Sequence, residues 1–230
     1  MTSASPPPGR LLVPLYVHPT VDPAAWRALR GRARQLYAVV LNAADGPGRH
    51  RDPAFHAVAR DLRAAGVRLL GYVDTAYGRR SPRAVLADVH RHRRWYGVDG
   101  VFYDQVAADR ALLPRYRRLV RAARLLGAPT AVLNPGTHPD PGYADVADVL
   151  VTFEGDWASY RRARVPPWTS GHAPRRFCHL VYGVPDSQRK KVAHTSYDRG
   201  AALHCAVPGE GSNPWRYPPS GGDNGMGDDG

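Results

Sequence analysis

Short apolar runs alternate with charged amphipathic stretches along the chain, and this alternation most limits the folds that it can adopt. We predict eight strands, at residues 11–17, 36–41, 67–73, 98–103, 130–133, 149–153, 177–182 and 201–206. Strands separated by helical stretches indicate βα units and a parallel sheet. Eight such units predict an α/β fold, a single-domain (β/α)8 barrel of the TIM type. A doubly wound open sheet is the main alternative, but no glycine-rich phosphate loop follows the first strand.

Local signals at the predicted helix boundaries agree with this pattern. Asp22, Asp52 and Ser81 each precede a proline, and a capping side chain with proline at the first helical position starts a helix. Gly66 and Gly97 follow the ends of two predicted helices, where glycine accepts the left-handed backbone of a C-terminal cap. The connection between the fifth and sixth strands is short, so we expect its helix to be reduced to a turn or two.

The two ends of the chain differ in composition from its middle. Residues 1–9 predict a disordered segment, residues 10–220 the barrel, and residues 221–230 a flexible Gly/Asp tail. The start of the chain lacks the apolar stretch of a secretory signal, and no run is long enough to span a membrane. The sequence as written predicts a cytoplasmic monomer with no membrane partner. A processed form or a mis-assigned start codon is the alternative, and a mis-assigned start would allow secretion.

The chain has a net charge of +12, carried almost entirely by arginine. Many of the arginines fall on the predicted outer faces of helices: Arg27, Arg30, Arg32, Arg34, Arg91, Arg93, Arg94, Arg115, Arg117 and Arg118. Charge runs on helices usually face water. We therefore expect a solvated basic surface and no specific nucleic-acid partner, and a basic nucleic-acid-binding protein remains as an alternative.

The two cysteines, Cys178 and Cys205, each lie in an apolar run. Buried free thiols are the favoured interpretation because cysteine is a common core residue. One disulfide between neighbouring strands is the alternative. The cysteine spacing does not match any metal-binding pattern, so no metal is expected.

If the fold is a barrel, its chemistry should lie at the carboxyl ends of the strands. The residues there are carboxylates, amides, hydroxyls and aromatics: Tyr16, His18, Asn42, Tyr72, Asp74, Tyr77, Asp104, Gln105, Asn134, Thr152, Glu154, Trp157 and Tyr182. Such a set suits a carbohydrate, because aromatic rings stack on sugar faces and polar groups bind hydroxyls. The strand ends contain no Ser–His nucleophile elbow and no histidine cluster, and no organic cofactor is implied.

Two carboxyls in this set, Asp104 and Glu154, are the candidate catalytic pair, and the others are candidate substrate-binding residues. A pair of carboxyls that flanks a glycosidic bond can act as acid and as nucleophile or base. Glu154 follows a buried strand, where a carboxyl needs a partner or a function. Structural interpretations stay open for other members: Asp104 could cap the following helix, and Asp74 could form an Asx turn. His18 and the tyrosines could serve packing at the barrel rim.

Six segments occur in order at the predicted strand ends: LLVPLYVHP, VVLNAADGPG, GYVDTAYG, GVDGVFYDQ, VLNPG and VTFEGDW. Together with NPWRYPPS near the end of the chain, they resemble the spherulin-4-like proteins of spherulation-specific family 4, over residues 10 to 220. The resemblance implies a glycoside-hydrolase barrel. It also implies endo-acting hydrolysis of α-1,4-linked galactosamine or N-acetylgalactosamine polymers, the galactosaminogalactan of fungal biofilms.

In that family an Asp-Glu pair ends the fourth strand and a Glu ends the sixth. Asp104 and Glu154 match this pattern, whereas Gln105 stands where the active enzymes have Glu. Either the two remaining carboxyls suffice and Gln105 only binds substrate, or the chain is a catalytically inactive glycan-binding barrel. We favour the first, because both carboxyls keep their motif context.

For the mechanism we assign Glu154 as the general acid and Asp104 as nucleophile or electrostatic stabiliser, with the reverse assignment open. A substrate acetamido group could also act as the nucleophile. The charge of +12 would repel a cationic polygalactosamine at long range. A neutral, acetylated or acidic glycan is therefore expected.

Overall fold

The computed structural model describes residues 10–219, in which eight parallel strands close into a barrel. Each strand pairs with its neighbour in sequence, and the first pairs with the last through Arg10↔Leu203 and Leu11↔His204. The single-domain (β/α)8 prediction is confirmed, and the open sheet is excluded. The predictions for residues 1–9 and 221–230 lie outside the described residues.

The strands are β1 Arg10–Pro14, β2 Leu36–Leu41, β3 Leu69–Asp74, β4 Gly100–Asp104, β5 Thr130–Leu133, β6 Val149–Asp156, β7 Phe177–Tyr182 and β8 Leu203–Ala206. The α-helices are α1 Pro23–Gly31, α2 Pro53–Ala64, α3 Pro82–Tyr96, α4 Leu113–Leu125, α5 Trp157–Arg162 and α6 Arg189–Asp198. Between β5 and β6 the structure has only a 3-10 turn, Pro141–Asp145, which confirms the expected reduced helix.

The predicted helix caps are present. The side chains of Asp22, Asp52 and Ser81 accept backbone N–H groups of the first turns of α1, α2 and α3. Gly97 ends α3 in the left-handed conformation, with φ of 64°. These caps satisfy backbone groups that a helix end leaves unpaired, so the local sequence fixes where each helix starts or stops.

Five strands, β1, β3, β4, β6 and β8, differ from their predicted bounds, and the differences in β1 and β6 affect the barrel rim. We expected β1 to continue past its proline, but it ends at Pro14, which leaves Tyr16 and His18 in the loop beyond it. Proline has no backbone N–H, so Pro14 cannot donate a hydrogen bond to a neighbouring strand. Strand β6 is longer than predicted, and its pairing with β7 shifts register between Val151 and Phe153, the mark of a β-bulge.

Side chains of β4 alternate between two apolar clusters. Phe102 packs with Val151 and other residues of the strands, whereas Tyr103 packs with Tyr116 of α4. Because successive side chains of a strand point to opposite faces, Asp104 lies on the same face as Phe102, at the inner rim of the barrel.

Both cysteines are buried and free, which confirms the first interpretation of Cys178 and Cys205. Seven of the ten arginines predicted on outer helix faces are exposed. The other three, Arg32, Arg93 and Arg115, are half-buried and donate to backbone carbonyls. Within residues 10–219, no helix combines the length and the apolar character needed to cross a bilayer.

The segment 207–219 folds back over the loop that follows β1. Trp215 is 4 % exposed, and its carbonyl accepts the backbone N–H of Tyr16 at 2.9 Å. Asn213 Nδ2 donates to the Tyr16 carbonyl at 2.9 Å. Gly209 permits this turn, since a Cβ there would lie 2.1 Å from the Pro214 carbonyl oxygen. The segment therefore carries Trp215 to the carboxyl ends of the strands.

Candidate active site

A cavity of about 560 Å³ opens at the carboxyl ends of the strands. Its polar and aromatic lining residues are Tyr16, His18, Asn42, Asp45, Phe55, Tyr72, Asp104, Glu154, Tyr182, Ser212, Asn213 and Trp215. The volume lies in the range of ligand-binding clefts, about 300–1,000 Å³. This cavity therefore brings together both predicted catalytic carboxyls and five of the predicted binding residues.

The amide of Asn134 bridges the two carboxyls. Asn134 is 4 % exposed, and its Nδ2 donates to Asp104 Oδ1 at 2.7 Å and to Glu154 Oε2 at 2.5 Å. Its Oδ1 accepts the N–H of Gly136 at 3.0 Å, which fixes the orientation of the amide. The two bridged oxygens are at most about 5 Å apart, because each bonds to the same nitrogen.

Each carboxyl has a second donor on its other oxygen. Tyr72 Oη donates to Asp104 Oδ2 at 2.8 Å, and Trp215 Nε1 donates to Glu154 Oε1 at 2.9 Å. All four carboxyl oxygens are therefore hydrogen-bonded, and both side chains are held in one orientation. The suggestion that Asp104 caps a helix is wrong, since Asp109 supplies the cap of the turn before α4.

Backbone contacts hold Asn134 and Glu154 in place. Asn134 lies immediately after β5, and its N–H donates to the Tyr103 carbonyl at 2.8 Å. Glu154 N donates to the Gly136 carbonyl at 3.0 Å. Gly136 has φ of 68°, and a Cβ there would lie 3.7 Å from the Glu154 Cβ. The left-handed glycine thus lets the loop after β5 turn closely around Glu154.

The surroundings give the two carboxyls different pKa values. Burial raises the pKa of Glu154 to about 7, and the nearby charge of Asp104 adds to the rise. Burial also raises the pKa of Asp104, while hydrogen bonds from Tyr72 and Asn134 oppose the rise. Asp104 therefore ionises first as the pH increases, and Glu154 keeps its proton until near neutrality.

Several predicted binding residues that line the cavity have structural partners as well. His18 Nε2 lies 3.0 Å from Asp52 Oδ2, and its Nδ1 lies 2.8 Å from Thr20 Oγ1, so both ring nitrogens are engaged. Asn42 Oδ1 accepts the N–H of Gly46 at 2.8 Å and shapes the loop after β2. The rings of Tyr16 and Tyr72 pack edge to face with centroids 5.5 Å apart.

The side chain of Asn134 has different partners from those expected. The sequence made it a candidate substrate-binding residue, but both hydrogens of its amide are occupied by carboxyl oxygens. It therefore orients the carboxyls instead of offering a free donor to the cavity.

Asp74, Tyr77 and Gln105 do not line this cavity. Asp74 Oδ1 accepts the N–H of Ala76 at 2.6 Å, the Asx turn that the sequence left open. Tyr77 is 51 % exposed, outside the cavity. Gln105 has φ of 48°, and its carbonyl accepts from Thr75 Oγ1 and Tyr77 N, both at 2.7 Å. This left-handed turn carries the chain away from the cavity directly after Asp104.

Thr152 and Trp157 also lie elsewhere. Alternation along β6 would place Thr152 on the same face as Glu154, but the bulge breaks the alternation, and Thr152 lines a separate cavity with His179. Trp157 begins α5 and packs near Tyr160, with ring centroids 6.1 Å apart.

Among the polar and aromatic residues that line the cavity, sequence reasoning did not select Asp45, Phe55, Ser212, Asn213 and Trp215. The one signal for Trp215 was the NPWRYPPS segment, which contributes to the family resemblance. Asp45 lies in the glycine-rich loop after β2, with φ of 49°, and residue type alone gave no reason to select it. Across residues 10–219, no group of three or more His, Cys, Asp or Glu side chains could hold a metal ion.

Comparisons with known proteins identify the family and the fold. Residues 10–206 match the profile of the family described as spherulation-specific family 4. Spherulin-4 of Physarum polycephalum is 34 % identical over 159 residues, which are 67 % of this chain and 47 % of that protein. The chain therefore spans about half the length of this curated relative.

Solved structures share the barrel. Aspergillus clavatus Sph3 in complex with GalNAc superposes with a TM-score of 0.79 at 25 % identity, over 94 % of both chains. Alpha-galactosidase I from Mortierella vinacea superposes with a TM-score of 0.60 at 11 % identity, over 91 % of this chain and 68 % of the other. The second likeness concerns the fold alone.

The raised pKa of Glu154 has a testable effect on stability. The folded state holds this proton more tightly than the unfolded state, so stability is lost as the pH rises from about 4.5 towards 7. At pH 8 the loss amounts to ~3 kcal/mol at most. We therefore expect Glu154→Gln to raise the free energy of unfolding in urea, relative to wild type, more at pH 8 than at pH 5.

The control is Glu210→Gln, which changes the only other glutamate of the chain, an exposed one. It should show no such dependence on pH. An equal effect of Glu154→Gln at both pH values would contradict the assignment of a buried, late-ionising carboxyl.

Proposed function

This chain belongs to spherulation-specific family 4, and from that premise we propose that it is a glycoside hydrolase. Its substrate would be an α-linked galactosamine or N-acetylgalactosamine polysaccharide, cut within the chain. The observation that carries the proposal is the pair of carboxyls, Asp104 and Glu154, held by one amide in a rim cavity with separated acidities. The sugar bound to the Aspergillus clavatus protein supports the substrate class.

In the proposed reaction, Glu154 is the general acid. Its raised pKa keeps it protonated near neutral pH, so it can donate that proton to the glycosidic oxygen as the bond breaks. Asp104 is ionised, and Tyr72 and Asn134 stabilise its charge. It would attack the anomeric carbon or stabilise the positive charge that develops there.

The separation of the carboxyls favours a two-step displacement. Retaining glycosidases hold their carboxyls about 5–5.5 Å apart, whereas inverting enzymes need about 6.5–9.5 Å for an intervening water. The oxygens bridged by Asn134 are at most about 5 Å apart. Attack by a substrate acetamido group, with Asp104 in support, would also proceed in two steps.

We therefore expect retention of the anomeric configuration. Proton NMR of the products in the first minutes of cleavage, before mutarotation, would show the α-anomer from an α-linked substrate. Initial release of the β-anomer would contradict the two-step displacement.

The charge of the cavity modifies the expectation drawn from the whole chain. Asp45, Asp104 and Glu154 line the cavity, and His18, the one histidine among its lining residues between 10 and 219, is paired with Asp52. The cavity is therefore acidic although the chain carries +12. This local charge favours a neutral or partly deacetylated amino sugar over an acidic glycan at the point of cleavage.

The test of the proposed function is reducing-end release from acetylated, partly acetylated and deacetylated galactosamine polymers, alongside neutral and acidic glycans. Asp104→Asn and Glu154→Gln should each reduce kcat at least about a hundredfold, the usual scale for loss of a catalytic acid or nucleophile. The matched controls Asp61→Asn and Glu210→Gln change exposed carboxyls and should retain activity. Equal activity of all four variants would contradict the roles assigned to the pair.

The pH dependence tests the role of Glu154 separately. Activity should fall as the pH rises through about 7, because the acid loses its proton. The hydrogen bond from Trp215 lowers the pKa of Glu154, so Trp215→Phe should move this decline in kcat/KM to higher pH. The control Trp95→Phe changes a half-buried indole outside the cavity. A decline that stays in place, or moves to lower pH, in Trp215→Phe would contradict the assignment.

An inactive glycan-binding barrel is the second candidate, and the observation that favours it is Gln105 in place of the family's Glu. Against it, Gln105 does not line the cavity, and the carboxyl pair is complete without it. We expect Gln105→Glu to change kcat/KM less than about threefold. A wild type that binds the glycan without cleaving it, and a Gln105→Glu variant that turns it over, would establish the binding protein instead.

A further inference from the structure

A second cavity lies beside the barrel, on the outer side of β6 and β7. It has a volume of about 260 Å³, and we call it the lateral cavity. Its polar lining side chains are Thr137, His138, Thr152, Arg164, His179 and Arg199. Two arginines and two histidines thus meet there, while none of the lining residues in the described part of the chain is acidic.

His179 presents an unpartnered nitrogen in this cavity. The residue is 2 % exposed, and its Nδ1 bonds to Tyr160 Oη at 2.9 Å. Within residues 10–219, Nε2 has no hydrogen-bond partner, and the ring lines the lateral cavity. Burial lowers the pKa of His179 to about 3, so the ring is neutral. In the tautomer in which Nδ1 accepts the Tyr160 hydroxyl, Nε2 carries the hydrogen and can donate to a ligand.

Arg199 supplies a positive charge in a fixed position. Its guanidinium stacks over the Tyr160 ring, 4.6 Å from the centroid, and donates to the carbonyls of Tyr160 and Arg161 at 2.5 and 3.1 Å. A guanidinium has five N–H donors, and these two bonds leave others for a ligand. The positive charge of Arg199 also lowers the pKa of His179, which indicates that the two groups lie close together.

Arg164 supplies a second positive charge at the lateral cavity. It follows α5 and is exposed, and it makes no ion pair with any residue between 10 and 219. Two like charges around a small volume repel each other unless an anion lies between them. Arginine also matches the oxygens of phosphate and sulfate with parallel N–H donors.

We propose that the lateral cavity binds a small oxyanion, phosphate or sulfate, either free or as the monoester of a sugar. Arg164 and Arg199 neutralise its charge, His179 Nε2 donates from the buried end, and the hydroxyls of Thr137 and Thr152 complete the donor set. The site is separate from the rim cavity. Thr152 and Phe153 line it, whereas the next residue, Glu154, faces the candidate active site.

The test is isothermal titration calorimetry of the full chain with inorganic phosphate, sulfate and glucose 6-phosphate at neutral pH and low salt. We expect saturable binding of at least one of these three probes, with Kd of about 1 mM or tighter. Arg164→Gln should weaken it at least tenfold. Arg162→Gln is the matched control, because it removes the same charge from an exposed position on α5 that does not line the cavity. It should change Kd less than twofold.

The two sources of the anion are distinguished by the probes. Tighter binding of glucose 6-phosphate than of phosphate would identify a sugar monoester, and equal or weaker binding would identify the free ion; both support the site. No saturation by any probe at about 10 mM would overturn the proposal. Equal weakening by Arg162→Gln and Arg164→Gln would also overturn it, since that result indicates diffuse surface charge. Binding is measured without hydrolysis, so either result leaves the proposed function to its own test.

Discussion

The hydrogen bonds from one amide, Asn134, to two carboxyls are the interaction on which the candidate site depends. Two carboxyls so close together in a buried place cannot both ionise cheaply. Asn134 holds both, Tyr72 adds a donor to Asp104, and Trp215 adds one to Glu154. Burial and mutual repulsion then separate the two ionisations. The closed barrel makes this arrangement possible, because the ends of β3, β4, β5 and β6 bring Tyr72, Asp104, Asn134 and Glu154 to one rim.

Burial of the two carboxyls lowers the stability of the folded state, and contacts elsewhere in the fold compensate for part of this loss. A buried Glu154 with a raised pKa loses stability as the pH rises, which is the usual trade-off between activity and stability at active sites. The segment 207–219 reduces the cost by placing the indole N–H of Trp215 on Glu154, and its backbone is tied to Tyr16. Trp215 thus acts on the pKa of the candidate acid from 61 residues further along the chain.

Much of the fold follows from local sequence. The bounds of β2, β5 and β7 coincide with their predicted ranges, and the caps at Asp22, Asp52 and Ser81 start their helices as expected. Placement of Asp104 and Glu154 at one rim also followed from the parallel barrel.

Other features depend on contacts distant in sequence. The bulge in β6 moved Thr152 to the outer side, and nothing in the residue type showed that Asn134 would bridge two carboxyls or that Trp215 would reach Glu154.

The most direct measurement is the ionisation of Glu154 itself. The chain contains only two glutamates, so labelling the glutamate carboxyl carbon with 13C gives two resonances, and the one lost in Glu154→Gln belongs to Glu154. Titration of that resonance near pH 7 is the expected result, with a shift to lower pH in Asp104→Asn, because the charge of Asp104 raises the pKa of Glu154. Titration at about 4.3, the value of an ordinary glutamate, unchanged in Asp104→Asn, would contradict the coupled pair at the centre of this site.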